Sequence, residues 1–174
     1  MSFKTMQTET LSYYQQLDVQ KQLIWTQPRH QTAALVSLDV QLASLAQATG
    51  LETGVVANPS LQPKSQQLSQ VVRCLRSFFL FANLMNWNQV CQTETDELEK
   101  LQQLDIDDQS KKATLYLMLK RMLLTSYYEK QQAAFQHAWM LFLKWALVDC
   151  GFTLNRLETE FKQQLQALQE QIQS

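Results

Sequence analysis

Glycine and proline are scarce in this chain, three of each in 174 residues. That scarcity removes the punctuation that turns and strands require and leaves a mostly helical fold as the expectation. Histidine is scarcer still. His30 and His137 stand alone, and Cys74, Cys91 and Cys150 form no CxxC pair, so zinc-type ligand spacing is missing and the thiols read as reduced core residues. An excess of one charge is also missing: 15 basic residues face 16 acidic ones, so no broad basic face offers itself to a phosphate backbone and no nucleic-acid partner is expected. Long apolar runs are absent too. The opening MSFKTMQTETLSYYQQLD is not a signal segment, and even the most apolar run, Ala138 to Val148, is interrupted by Lys144. A cytoplasmic protein with no membrane partner is the expectation. The last scarcity is local: between Asp39 and Glu94 the only acidic residue is Glu52.

What is present is 45% apolar sequence rich in Leu, Gln, Ala and Lys, enough for one all-α domain over residues 1–174, a bundle of about five or six helices. Thr8 or Thr10 can cap a first helix that carries Leu11, Tyr14, Leu17, Lys21 and Ile24 on one side and is ended by Pro28. A second helix is expected over Thr32 to Thr49, with Leu35, Leu38, Leu42, Leu45 and Ala46 as its stripe and Gly50 as its left-handed end. Gly50, Gly54, Pro59 and Pro63 mark the one substantial loop. A third helix from Lys64 or Ser65 towards Cys91 follows, then an acidic connector with a short helix over Asp96 to Leu104. The segment Gln109 to Cys150 is helical with a break near Ser126 to Lys130. Thr153 caps a final helix bearing Leu165, Leu168 and Ile172.

The third helix is the most informative. Leu68, Val72, Leu75, Phe79 and Ala82 recur at three and four and turn inward. Gln70 and Arg73 lie three apart, one above the other on the helix.

Several segments, taken in order, resemble the all-α nucleotide pyrophosphatases of the dimeric dUTPase type, relatives of the MazG proteins. Tyr13-Tyr14-Gln15-Gln16-Leu17-Asp18 is similar to that family's opening helix. Ala34 to Ser44 is similar to its second helix, usually written E-x-x-E ahead of Leu-Ala-Asn. Gln70 to Phe78 is similar to its E-x-x-D helix, and Phe142 to Thr153 to its apolar helix followed by Gly-Phe-Thr. The resemblance implies a dimeric helical bundle in which four carboxylates bind magnesium and direct water at the α-phosphate. Those four positions fall here on Leu38, Gln41, Gln70 and Arg73, none of them acidic. Shifting the second helix by one residue brings in Asp39, whose partner position is then Leu42. Phe161-Lys162-Gln163-Gln164-Leu165 replaces the family's late aromatic-then-Lys-Asn pattern, and its tryptophan-containing segment has no counterpart in Gly50 to Gly54.

Arg73 and Arg76 are candidates to hold a phosphate in place of the metal, with Gln70 and Gln41 beside them; the plainer reading makes both arginines solvated surface residues. Asp39 is expected to be an exposed acid or an ion-pair partner of Arg73. Most of Trp25, Trp87, Trp139, Trp145, Phe78, Phe79 and Phe81 should be core or subunit contacts, with base stacking as the sharper alternative. The acidic stretch Glu94 to Asp108 reads as a solvated connector, and His137 as a packed or interface histidine.

The leading functional expectation is a dUTPase-like protein that has lost Mg-dependent hydrolysis and binds a nucleotide or a protein partner, as a homodimer and with no cofactor. The alternatives are an active dUTP or nucleoside triphosphate diphosphatase with a rearranged site, the one case requiring Mg²⁺, and a helical scaffold with no ligand.

Overall fold

The computed structural model describes residues 2–51 and 61–173, and these form an all-α bundle. Its helices are α1 (Phe3–Lys21), α2 (Gln27–Ala48), α3 (Lys64–Leu84), α4 (Thr95–Gln102), α5 (Gln109–Glu129), α6 (Gln132–Leu143) and α7 (Leu154–Gln173). A 3₁₀ turn at Asn88–Cys91 and a π turn at Lys144–Asp149 complete the helical structure. Seven helices replace the expected five or six because the long segment breaks where Lys130 adopts a left-handed conformation, φ 54°. The expected loop falls mostly on residues 52–60, outside the described residues. Gly50, at φ +61°, ends α2 as expected, and the Leu51 N–H reaches back to the Ala46 carbonyl.

α3 is the central helix and packs against α2, α1 and α7. Its expected stripe, Leu68, Val72, Leu75, Phe79 and Ala82, is buried, as are Val71, Cys74, Phe78 and Phe81. Phe78 stacks on Phe142 at 4.8 Å between ring centroids and meets Trp139 edge-on at 5.5 Å, while Phe81 lies 5.3 Å from Phe135. Phe3 closes this aromatic cluster against Trp139. Each fully buried side chain of this size contributes roughly 1.5–3 kcal/mol, so the aromatic cluster is a substantial apolar link between α3 and α6.

Several boundaries differ from expectation. α1 begins at Phe3, where the Ser2 hydroxyl accepts the Thr5 N–H. Thr8 and Thr10 do not cap it; their hydroxyls donate back to the Lys4 and Met6 carbonyls one turn earlier, inside the helix. α1 ends at left-handed Gln22, and Pro28 opens α2 instead of terminating α1, because a first-turn proline loses no helical hydrogen bond. α3 stops at Leu84, and Asn86, at φ 59°, turns the chain before Cys91. Thr153 does cap α7, its hydroxyl accepting the Arg156 N–H.

Candidate functional site

The hydrophobic stripe of α1 packs in its first half only: Phe3, Met6, Gln7 and Thr10 are buried, whereas Ile24 beyond the helix is 97% exposed. From Tyr13 onward the same side of α1 borders a cleft of about 840 Å³. Tyr13, Tyr14, Leu17 and Lys21 form one wall, with Leu23 and Trp25 of the following linker. α2 contributes Ala33, Ala34, Ser37 and Gln41; α3 contributes Arg73, Arg76, Ser77 and Leu80; α7 closes the far side from Gln164 to Gln171. The volume falls in the range of small-molecule sites, and the lining has their usual make-up, apolar walls with a few polar groups.

Three of the four expected phosphate-binding candidates, Gln41, Arg73 and Arg76, line this cleft. Leu38 does not: it has no exposed surface and belongs to the core, as its place on the α2 stripe requires. Gln70 ties α3 to α2, its amide donating to the Gln41 side-chain oxygen at 2.7 Å and to the Gln41 carbonyl at 3.0 Å. Two positions where the resemblance would put acids thus carry amides bonded to each other. Asp39 is half-exposed and pairs with Lys120 of α5, not with Arg73, because it faces the α2–α5 side of the bundle.

Arg73 is exposed, in keeping with the plain reading, but Arg76 departs from it. The Arg76 Nε is buried and has no hydrogen-bond partner among the described residues. Burial pushes its guanidinium below the ordinary arginine value, Tyr13 partly offsets this, and Arg73 adds to it. An unmet charged donor at the wall of a cleft is costly unless an acceptor arrives. Gln164 presents the complementary group. Its NH₂ is engaged by the Ser69 carbonyl at 3.0 Å and by Glu160 at 2.6 Å, both acceptors there, so the amide nitrogen must face them; its Oε1 is buried and unpartnered.

At the other end, the Tyr14 hydroxyl and His30 Nδ1 lie 2.6 Å apart, and the Trp25 ring sits 5.3 Å from His30 with Arg29 stacked on it at 4.6 Å. Burial, reinforced by the charge of Asp18, raises the Tyr14 phenol. Trp25 is the one tryptophan that borders the cleft, while Trp139 and Trp145 are core. His137, expected to be packed or at an interface, is exposed on α6.

The acidic connector does more than was expected of it. Asp107 pairs with Lys144, which also bonds Asp149 at 2.9 Å, and the Asp107 N–H donates to the same Asp149 oxygen. Lys144 is only 9% exposed. Burial works against its charge, but the bonds to Asp107 and Asp149 prevail and raise its pKa. The lysine that interrupts the apolar run is therefore a buried partner of two acids distant or downstream in sequence, a pairing for which periodicity gives no signal. The three cysteines are free and buried, as expected.

Among the described residues no group of three or more His, Cys, Asp or Glu gathers in a way that could hold a metal ion, and no helix is long and apolar enough to cross a membrane. No known protein family, curated protein or solved structure matches the chain.

Proposed function

We propose that this chain binds an anionic organic ligand of the nucleotide class without metal, as a dUTPase-like protein that has lost Mg-dependent hydrolysis. The observation that carries this reading is the cleft lined by Lys21, Arg73 and Arg76, with no carboxylate among its described lining residues. Two guanidinium groups suit phosphate oxygens, and the Tyr13, Tyr14 and Trp25 rings suit a planar base. Three of the four segments that carry the resemblance, from α1, α2 and α3, border this cleft, which supports the same reading, while the fourth, Phe142 to Thr153, lies away from it. An amide pair at Gln41 and Gln70 and an arginine at position 73 weigh against the diphosphatase alternative, because a divalent cation needs anionic oxygen ligands and is repelled by Arg73. The scaffold alternative is favoured by the burial of Leu38, but Leu38 does not fill the cleft.

A second copy of the chain is the partner we assign to the α2–α5 face. There Asp39–Lys120 and the 2.6 Å contact between the Thr32 and Tyr127 hydroxyls link the two helices. Val36 and Leu124 lie one turn inside these links, and with Val40, Leu117 and Tyr128 they expose large apolar side chains on the same pair of helices. Leu117→Glu is expected to shift a dimer to monomer in sedimentation; a monomeric parent protein overturns this assignment.

The test of the binding reading is a thermal-shift titration with dUTP, dUDP and other nucleotides, with and without Mg²⁺, alongside a pyrophosphate-release assay. Stabilisation independent of Mg²⁺ and without turnover is expected, and Arg73→Glu should weaken it. Mg-dependent stabilisation with turnover would favour the enzyme, and no shift with any nucleotide would favour the scaffold.

A further inference from the structure

α1 is held unequally along its length. Phe3 and Met6, at its start, are buried, with Phe3 5.5 Å from Trp139 and 6.1 Å from Phe79 between ring centroids. From Leu11 to Lys21, about three turns of helix, no residue is buried. α5 and α7 are of similar length, yet each is pinned by three buried apolar side chains spaced one turn apart. The second half of α1 is tied down by hydrogen bonds instead. The Tyr14 hydroxyl lies 2.6 Å from His30 Nδ1, and the Gln20 amide donates to the Ile172 carbonyl at 2.8 Å, the latter bond exposed to water.

The polar groups that α1 buries are a second observation. Gln7 is 3% exposed, and neither its side-chain nitrogen nor its oxygen has a partner among the described residues. Asp18 Oδ1, on the same helix, is buried without a partner as well. Each such group is costly while buried and is relieved by water. Undocking α1 therefore gives up two apolar anchors and hydrates three polar atoms. That exchange is far closer to balance than the removal of α3, whose inner face carries Phe78, Phe79 and Phe81.

A pivot is present too. Gln22 is left-handed at φ 50°, and residues 23–26 run outside any helix to α2, with Ile24 97% exposed. α1 and this linker supply Tyr13, Tyr14, Leu17, Lys21, Leu23 and Trp25 to the main cleft, so docking α1 and completing the cleft are one event. We propose that α1 is a latch: it undocks as a unit about residues 22–26 while the rest of the bundle stays folded, and a ligand in the cleft holds it shut. The opening needs no ligand; its coupling to binding rests on the nucleotide reading.

The experiment is hydrogen exchange, read by mass spectrometry on the whole protein, comparing peptides over residues 7–20 with peptides over residues 68–82. Without ligand, α1 is expected to exchange at least about a hundredfold faster than α3. Phe142→Leu, which removes ring contacts to Phe78 and Trp139, should speed α3 and leave α1 unchanged. Gln7→Met, similar in volume and without the amide, should slow α1 about tenfold. Saturating dUDP without Mg²⁺ should slow α1 by at least about tenfold. Equal rates in α1 and α3, acceleration of α1 in step with α3 in Phe142→Leu, or faster α1 exchange in Gln7→Met would each overturn the latch. So would a nucleotide that raises Tm but leaves α1 exchange unchanged. If no nucleotide raises Tm, the binding reading fails by itself, and the three ligand-free comparisons decide the latch.

Discussion

The two faces of α3 have opposite characters. One carries Val71, Leu75, Phe78 and Ala82 into the core, where none of them keeps exposed surface and Phe78 meets Phe135, Trp139 and Phe142. The other carries Arg73, Arg76, Ser77 and Leu80 along a cleft that is open, partly charged and missing a partner for Arg76 Nε. The first face is complete with protein atoms alone, and the second is not. A helix so firmly held on one side can keep an unsatisfied charge on the other, because the stability it forgoes there is supplied by the core.

Mutations on the two faces should therefore act in opposite directions. The largest effect expected is from Trp139→Ala, which removes a fully buried indole and should lower unfolding free energy by about 3–5 kcal/mol in urea titrations. Asp149→Ala comes next: it leaves Lys144 buried with Asp107 as its only remaining acid, and a loss of about 3 kcal/mol is expected. Arg76→Met, on the cleft face, should do the reverse and stabilise the unliganded protein by about 1 kcal/mol, since it removes a buried charge whose Nε has no partner, while abolishing any nucleotide-dependent rise in Tm. A destabilised Arg76→Met would mean that the guanidinium is already satisfied and that the contrast between the faces is false.

The mildest probe leaves stability untouched. Burial pushes the Cys150 thiol up to about 11 and raises Cys74 and Cys91 as well. At pH 8.5 the native protein should therefore hold more than about a hundredfold less Cys150 thiolate than a free thiol. Alkylation should be slow, rise with pH, and become fast for all three cysteines only in denaturant. The sign for stability follows: a folded-state value raised above the unfolded one favours the fold below about pH 9, and that contribution is lost as pH climbs through about 11.

Much of the bundle could be read in advance because the chain is patterned where it packs. The α2 stripe, the α3 stripe, Gly50, the break at Lys130 and the Thr153 cap all follow from local rules that tertiary structure leaves alone. The start of α1 was missed because Thr8 and Thr10 look like caps locally, whereas Ser2 caps the helix and the extra turn it opens packs Phe3 against Trp139. For the site, spacing put Arg73 and Arg76 on neighbouring positions of one helix, and the structure places both with Gln41 on the wall of one cleft. Spacing could not reveal that Tyr13, Tyr14 and Lys21 line a cleft instead of packing, since an amphipathic stripe looks the same whether a neighbouring helix or empty space stands opposite. Nor could it pair Lys144 with Asp107, thirty-seven positions apart.

Lys144 and Asp149 are five residues apart in one helical turn, and in an ordinary α-helix such a pair would diverge by about 140° around the axis. Here the turn is wider, closed by the Cys150 N–H reaching the Trp145 carbonyl at 2.9 Å, five residues back. The extra residue is in effect an insertion that the helix has absorbed. Removing one residue between the two partners would leave them four apart, again on a common side in regular α-geometry, so the pair would survive a change in chain length that reorients everything beyond it. A one-residue deletion in this turn should therefore keep the Lys144–Asp149 pair and alter the heading of α7.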